Sequence, residues 1–307
     1  MEQTYSQLHN FTIGARRNAN VRMPVALTDE QIHRVAPSVF AEGKHDSRSD
    51  RYTFIPTIDV LNGLRREGFE VVNATQGRTR IPGKAEFTRH MLRLRRIQDV
   101  ANFVGDEYPE IVLVNSHDGT SGYQLSTGMY RLVCSNGLCV PSSISQQINV
   151  HHKGDIVNDV IEGAFTVVDG FAQIIEARDE MKAITLSDAE QTVLAQAAIV
   201  AKYGEPNEEN RYIAHKGGYP VSTEQVLRPR RHDDNTRDLW MTFNRIQENV
   251  IKGGLGSVSA NGRRQTTRAV KGIAENVNLN RALWQLAEGM KSIKTGVASP
   301  VVDAILA

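Results

Sequence analysis

The order of two hydrophobic patterns along the chain constrains its fold most. Between residues 69 and 140, short apolar runs alternate with polar side chains and are separated by turn residues, which is typical of β-strands. After residue 150, apolar residues recur every three or four positions, which is typical of helices. We therefore predict an α+β fold, in which an antiparallel β-sheet is followed by a long amphipathic helix and a C-terminal helical part.

Capping and turn residues set the limits of the predicted elements. Thr28 with Gln31, and Ser187 with Glu190, have the capping-box spacing that begins a helix. The stretch 87–97 is ambiguous between strand and helix, and the alternation of leucine with arginine favours a strand. The predicted elements are a short helix after Thr28, a helix 57–68, strands 69–73, 87–97, 111–115 and 123–134, a turn 135–138, and helices 155–183, 187–203, 235–252 and 279–290.

These elements predict three parts of the chain. Residues 1–50 form an N-terminal arm with a short helix, residues 51–183 form the sheet and the long helix, and residues 184–307 form a helical part packed on that core. The only two cysteines, Cys134 and Cys139, are too few for a disulfide framework and indicate a reducing cytoplasm. No apolar stretch approaches the roughly 20 residues that span a bilayer, so we expect no membrane partner.

Positive charge is concentrated in two segments although the whole chain carries a net charge of only +1. Arginine forks match phosphate oxygens, and binding them to a nucleic acid releases counterions. The first segment has seven basic residues against a single acid, Glu86. We expect its arginines to lie partly on a turn-rich finger and partly on one face of the strand at period two. The candidates are Arg78, Arg80, Lys84, Arg89, Arg93, Arg95 and Arg96.

The second basic segment, 228–271, has ten basic residues against four acids and contains a glycine-rich loop. Glycines let backbone N–H groups approach a phosphate, and nearby arginines neutralise it. The loop lacks the spacing of a Walker A motif, so nucleotide hydrolysis has no support here. The candidates are Lys252, Arg263, Arg264 and Arg268. For both segments, the alternative is an ordinary solvated surface.

Other candidate sites are weaker. His117 and Asp118 suggest a hydrolase, but adjacent residues on a turn point in different directions, which favours turn chemistry. Cys134 and Cys139 are followed by two adjacent histidines, which is not a usual zinc spacing, so we predict no metal and no cofactor. Tyr52, Tyr123 and Tyr130 are candidates for stacking on bases, whereas Trp240, Phe243 and Trp284 have the spacing of helical core residues.

Five ordered stretches together carry a family resemblance: RYTFIPTIDVLNGLRREGFEVVNATQGRTR, HMLRLRR, IVLVNSHDGTSGYQLSTGMYRLVCSNGL, LWMTFNRIQENVIKGG and LNRALWQLAEG. They resemble the phage- and plasmid-associated family catalogued as domain of unknown function 932. The resemblance covers about residues 51–290 and implies a place in the biology of mobile DNA. It transfers no functional residue.

The predicted layout also resembles the core of single-strand annealing proteins, in which a basic groove between sheet and helix holds single-stranded DNA around an oligomeric ring.

These observations favour a non-enzymatic nucleic-acid-binding protein of a mobile element. We expect it to bind single-stranded DNA by its backbone, to anneal complementary strands, and to form a homo-oligomer. The alternative is a counter-defence protein that binds a host immune protein or a nucleotide signal. The two functions differ in whether the arginines hold a polymer or a small phosphate ligand, and both require that the two basic segments converge.

Overall fold

A computed structural model describes residues 20–22, 26–47, 54–96, 107–131, 136–139, 148–150, 156–205, 218–258 and 263–296. Within them, the strands are β1 Asn20–Arg22, β2 Phe69–Gln76, β3 His90–Arg96, β4 Glu107–Asn115, β5 Tyr123–Arg131, β6 Asn136–Cys139, β7 Ile148–Val150, β8 Gly256–Val258 and β9 Arg264–Thr266. The helices are α1 Asp29–Val35, α2 Thr57–Arg66, α3 Ile156–Asp169, α4 Phe171–Ala183, α5 Asp188–Tyr203, α6 Thr223–Leu227, α7 Leu239–Lys252 and α8 Ile273–Thr295.

The central sheet is antiparallel throughout, with the strand order β1-β2-β3-β4-β5-β6 and with β7 paired to β5. From β2 to β6, strands that follow one another in the sequence are neighbours in the sheet. β1 pairs with β2 although α1 and α2 lie between them in the sequence. Helices follow the sheet in the sequence, so the predicted α+β fold class is confirmed. The capping boxes at Thr28 and Ser187 are both present and begin α1 and α5.

One face of the sheet packs against α2 and α3 and forms the first hydrophobic core. β3 is a strand, as its alternation predicts, and it directs Leu92 and Leu94 to this face opposite Leu113 and Ile111 of β4. Val160 of α3 is in the same cluster and is completely buried. Each such side chain contributes on the order of 1.5–3 kcal/mol when it leaves water. This core therefore fixes the register of the sheet.

A second hydrophobic core lies among the later helices, α4 to α8. Trp240, Phe243 and Trp284 meet in it with ring centroids about 6 Å apart, and all three are buried. This confirms their prediction as core residues.

A charged junction joins the two cores: Glu107 of β4 accepts a hydrogen bond from the Trp240 indole and one from Lys182 of α4, the latter at 2.8 Å.

The predicted long helix is in fact two helices, α3 and α4, that meet at Gly170. The division is consistent with their separate packing, because Val160 belongs to the first core while Ile174 and Met181 belong to the second. Glycine inside a helix also costs about 1 kcal/mol relative to alanine. The proposed division of the chain at residue 183 stays a prediction.

Other element limits were also wrong, among them those of the last helix, which spans Ile273–Thr295 instead of 279–290. The turn predicted at 135–138 is largely strand β6, because residues 136–139 pair with residues 128–131 of β5, and strand pairing outweighs local turn preference. Helix α7 begins after Asp238 rather than at Asn235, since the Asp238 carboxylate accepts a hydrogen bond from the Met241 amide at 2.8 Å. Among the described helices, none combines the length and the apolar character needed to cross a bilayer.

Candidate nucleic-acid interface

The two arginines in the middle of β3 are buried. Arg93 and Arg95 share one face of the sheet, as the alternation predicts, but they are only 2% and 6% exposed. Both pair with Glu110 of β4, at 3.3 Å from Arg93 and 2.7 Å from Arg95. The Arg95 guanidinium also lies 4.5 Å from the ring centroid of Tyr108. The expectation that these arginines line an open groove is therefore wrong, because burial and pairing withdraw them from solvent.

The loop between β2 and β3, residues 77–89, projects from one end of the sheet, and we call it the finger. Its tip is a tight turn in which the Lys84 amide donates to the Ile81 carbonyl at 3.3 Å. Gly83 has a φ of +73°, and the order Pro-Gly with positive φ at glycine is that of a type II turn. Arg80 is exposed, and Ile81 is 57% exposed. The finger thus presents a cation and an apolar side chain next to each other.

Hydrogen bonds close the base of the finger. The Gly77 amide donates to the Arg89 carbonyl at 2.7 Å, and the Thr88 hydroxyl donates to the Gly77 carbonyl at 3.0 Å. From the end of β2, the Gln76 amide group donates to the Ala85 carbonyl at 2.7 Å. A side-chain carbon at position 77 would lie 3.2 Å from the Arg89 carbonyl oxygen, which favours glycine there. These contacts hold the two ends of the finger together.

A buried polar network lies directly beneath the finger. Its members are Ser38, Thr57, Gln76, His90 and His117, of which all but Gln76 are completely buried. The Ser38 oxygen lies 2.8 Å from Nδ1 of His90 and 2.7 Å from the Gln76 oxygen. The Thr57 oxygen lies 2.9 Å from Nε2 of His90 and 3.2 Å from Nε2 of His117. The network joins the sheet, the first residue of α2, the short helix Pro37–Phe40 that follows α1, and the loop after β4.

Donor and acceptor roles in this network follow from one constraint. Gln76 donates its amide group to a carbonyl, so its oxygen faces Ser38 and takes the serine proton. Ser38 must then accept from Nδ1–H of His90, which leaves Nε2 of His90 to accept from the Thr57 hydroxyl. Thr57 in turn accepts from Nε2–H of His117. His90 is neutral in this arrangement, because its Nε2 accepts a hydrogen bond.

The surroundings keep His90 neutral. Burial, and then the neighbouring His117, lowers the pKa of His90 to about 3, although a hydrogen bond with the Thr88 backbone acts in the opposite direction. A buried imidazolium here would have to break the chain of hydrogen bonds, because Nε2 would become a donor facing the Thr57 proton. The network is therefore a support that depends on the neutral form of His90.

The loop 116–122 lies beside the finger and contacts it. Asp118 accepts hydrogen bonds from the Thr120 amide at 3.0 Å and from the Thr120 hydroxyl at 2.6 Å, and it pairs with Lys84 of the finger at 3.1 Å. Burial alone would raise the pKa of Asp118, but the hydrogen bonds from Thr120 and Lys84 outweigh it and lower that pKa. The His117 ring faces Thr57 instead. Asp118 therefore stabilises the turn and connects it to the finger.

The second basic segment ends in a hairpin, described over residues 255–258 and 263–271, which we call the basic hairpin. Its strands β8 and β9 pair antiparallel, and every residue of β9 is exposed. Arg263, Arg264 and Arg268 are exposed on it. Lys252, at the end of α7, is exposed beside the hairpin and pairs with Glu248 at 2.9 Å. The hairpin is thus the region where predicted phosphate ligands do reach solvent.

The end of α7 anchors this hairpin through its backbone. The Gly254 amide donates to the Thr267 carbonyl, and the Thr267 amide donates back to the Leu255 carbonyl, each at 2.8 Å. Gly253 has a φ of +64°, and a side-chain carbon there would come within 2.7 Å of the Arg268 backbone. Glycine at this position is required both by the backbone conformation and by the close approach.

A small apolar cluster brings the two basic segments to the same end of the sheet. Ile273 and Val277, in the first turns of α8, are in one buried cluster with Met91 of β3 and Val114 of β4. Met91 follows the finger by two residues, and Ile273 follows the basic hairpin by two residues. The face of the sheet that carries Arg93 is therefore covered at this end by α8, and the segments that enter the two elements lie near each other.

The remaining predicted ligands of the first segment are engaged by the protein to different degrees. Lys84 is half-buried against Asp118, and Arg89 is half-buried and donates to the Thr120 carbonyl. The guanidinium of Arg96 lies 5.7 Å from the ring centroid of Phe69. Arg78 and Arg80 are exposed on the finger.

Other candidates have simpler outcomes. Tyr123 is completely buried and donates to the Ile55 carbonyl at 3.0 Å, so the expectation that it stacks on bases is wrong. Tyr52, Cys134, His151 and His152, and the side chains of Tyr130 and Cys139, lie outside the described residues. Within the part of the chain that the structure describes, no three His, Cys, Asp or Glu side chains are grouped so that they hold a metal ion.

Sequence reasoning missed Glu110 and the polar network. Glu110 is the acid directly before the apolar run of β4, and its period-two position places it on the face of Arg93 once the β3–β4 register is known. Polar residues at core positions are paired when buried, so this acid was a detectable signal. The network joins residues from five separate segments, and no local pattern indicates it.

Comparison with known proteins gives consistent results. Residues 44–284 match the family described as Domain of unknown function (DUF932). The chain is 48% identical over 270 residues to the UPF0380 protein YafZ of Escherichia coli K12, covering 88% of this chain and 93% of the relative. It is 49% identical over 268 residues to the UPF0380 protein YfjQ of the same strain, covering 87% and 93%. No solved structure matches.

Proposed function

This chain belongs to the DUF932 family, and we propose that it binds single-stranded DNA of a mobile genetic element in the cytoplasm. The binding surface is formed by the exposed cations of the finger and of the basic hairpin and contacts the sugar–phosphate backbone. Annealing of complementary strands by an oligomer follows from neutralising the phosphates on both strands.

The observation that carries this proposal is the meeting of α8 with the beginning of β3. Because Ile273 packs in one cluster with Met91, the exposed arginines before α8 and those before β3 start from neighbouring points. Arg80, Arg264 and Arg268 are exposed on these two segments. Clustered arginines on a surface attract a polyanion and match its phosphate oxygens.

Burial of the β3 arginines refines the proposal. Arg93 and Arg95 pair with Glu110 and support the sheet, so the DNA backbone runs over the rim of the sheet rather than across its face. The ligands we assign are the exposed arginines of the finger and of the basic hairpin. They are Arg78, Arg80, Arg263, Arg264 and Arg268.

The test is the affinity of the purified chain for a labelled single-stranded oligonucleotide at increasing salt. We expect the logarithm of the affinity to fall linearly with the logarithm of the salt concentration, by about 0.7 for each phosphate that the protein neutralises. The double variant R264A/R268A should lower that slope by roughly 1.4 and weaken binding at low salt. Weak binding at low salt, or affinity that salt does not change, contradicts the proposal.

Arg66→Ala is the matched control. Arg66 is an exposed cation at the end of α2, the helix that packs on the opposite face of the sheet from the first turns of α8. Removing it should leave the salt slope unchanged. An equal effect of Arg66→Ala and of the hairpin variants would mean that binding is spread over the whole surface. If cyclic dinucleotides raise the melting temperature and oligonucleotides do not, a nucleotide signal is the ligand instead.

A further inference from the structure

The tip of the finger combines two chemically different side chains on a fixed turn. Ile81 is 57% exposed and stands in the first position of the turn that contains Pro82 and Gly83. Arg80, its neighbour, is exposed. The Ile81 amide is held by the Thr79 hydroxyl at 3.1 Å, so both sides of Ile81 are fixed by hydrogen bonds within the finger.

A single exposed apolar side chain is ordinary on a protein surface. The other large exposed apolar residues of the described chain, Phe165, Val193 and Ile293, lie on helices that pack into the two cores. Ile81 differs because it lies in the turn at the tip of a loop, between Arg80 and Lys84, and belongs to none of the hydrophobic clusters of the described residues.

The finger is supported from below. Gln76 connects its base to Ser38 and His90 in the buried network, and the Asp118–Lys84 pair holds its second half at 3.1 Å. A loop that is fixed in this way loses little conformational entropy when it meets a ligand. The tip of the finger is therefore suited to inserting into a ligand as a fixed unit, rather than to changing its conformation around the ligand.

We propose that Ile81, with Pro82, inserts between adjacent bases of the bound DNA while Arg80 contacts the neighbouring phosphate. Apolar wedges such as Ile and Pro beside arginines are a general means of separating stacked bases. This inference rests on the proposed function. It specifies the ligand further as a strand whose bases are unstacked by the protein, which leaves their pairing edges accessible to a complementary strand.

The test uses a single-stranded oligonucleotide that carries 2-aminopurine, whose fluorescence rises when its bases unstack. At saturating protein, the unmodified chain should raise the fluorescence, and the I81S variant should abolish most of that rise. I81S should weaken binding by roughly fivefold to 150-fold, the worth of one stacked base, and should leave the salt slope unchanged. R80A should reduce the salt slope but keep the fluorescence rise at saturation.

Val193→Ser is the matched control, since Val193 is exposed to a similar degree on α5. It should change neither the fluorescence nor the affinity, and both serine variants should keep the melting temperature of the unmodified chain. An I81S variant that still raises the fluorescence fully overturns the wedge while leaving DNA binding intact. Absence of any binding by the unmodified chain overturns both proposals, so the two failures are distinguishable.

Discussion

β3 and β9 are both basic strands, and they differ in almost every physical respect. β3, with the sequence HMLRLRR, is buried at every position except its last, whereas β9, with the sequence RQT, is exposed at every position. In β3 the arginines meet a carboxylate across the sheet, at 2.7 Å for Arg95. In β9, Arg264 lies on a two-stranded hairpin whose outer surface nothing in the described chain covers. Positive charge therefore stabilises the fold in one strand and remains available to a ligand in the other.

The exposure of an arginine, not the number of charges around it, therefore distinguishes arginines that stabilise the fold from arginines that can bind a ligand. A buried guanidinium is retained only with a partner, because the cost of leaving it unpaired is several kcal/mol. An exposed one contributes little to stability and is free to change its contacts. Four variants or conditions test this difference, from the largest expected effect to the smallest.

The largest effect is expected for Glu110→Gln. This change removes the charge of the carboxylate that pairs with both Arg93 and Arg95, and we expect the free energy of unfolding to fall by about 3–5 kcal/mol. Chemical denaturation measures it. Asp29→Asn is the control, because Asp29 pairs with Arg65 at the surface and should lose at most about 1 kcal/mol. Equal losses from the two variants would remove the distinction between buried and exposed pairs.

The second-largest effect is the dependence of stability on pH. It comes from His90, which lies on the face of β3 opposite to that of Arg93 and Arg95. The pKa of His90 is about 3 in the fold against an ordinary value of 6.5, so below 6.5 the unfolded chain binds a proton that the folded chain does not. The contribution of His90 to the free energy of unfolding is therefore fully present well above pH 6.5. It is lost as pH decreases, by up to about 1.4 kcal/mol per pH unit. Denaturation curves at pH 7.5, 6.5, 5.5 and 4.5 should show this slope.

His90→Asn should remove most of that slope, whatever its effect on stability at pH 7.5. His232→Gln is the control, since His232 is fully exposed, and it should keep the slope. Asp118 does not interfere in this range, because its pKa lies below the ordinary 3.8 and its own contribution is lost only at lower pH. A slope that is the same in all three proteins would show that His90 is not the group that titrates.

A smaller effect is expected at the anchor of the basic hairpin. Gly253→Ala and Gly254→Ala both place a side chain at positive φ, which costs on the order of 1–3 kcal/mol. Only Gly253→Ala also creates a contact of 2.7 Å with the Arg268 backbone, while nothing lies within 4 Å at position 254. We expect Gly253→Ala to be the less stable variant and to weaken DNA binding more. The reverse order would mean that the hairpin is not held by this approach.

The smallest effect on stability is expected for Arg264→Ala. Because Arg264 is exposed on β9, its removal should change the free energy of unfolding by no more than about 0.5 kcal/mol. The measurement is the same denaturation curve used for Glu110→Gln. A loss above about 2 kcal/mol would place Arg264 in the structural class together with Arg95.

Local sequence patterns predicted many of the helices and strands, because the signals that begin and end such an element lie within a few residues of one another in the sequence. The capping boxes at Thr28 and Ser187 and the stop at Gly253 need only a few neighbours, and all three are present. The predicted start of α7 was wrong because Asn235 and Asp238 are both residues that favour the N-cap position. Only Asp238 directly precedes the helix and caps it. The site was predicted less completely, since the same charged pattern suits an open or a covered face.

By itself, the sequence determined the fold class and the type and order of most of the longer elements, because alternation with period two and recurrence at three or four residues are properties of short stretches. It also determined that positive charge is gathered in two segments. Only the tertiary structure decided which of these cations reach solvent. α8, far along the chain, packs Ile273 in a cluster with Met91, and β4 supplies Glu110 to Arg93 and Arg95. Burial depends on such distant partners, and a strand of alternating leucine and arginine carries no information about what will cover its second face.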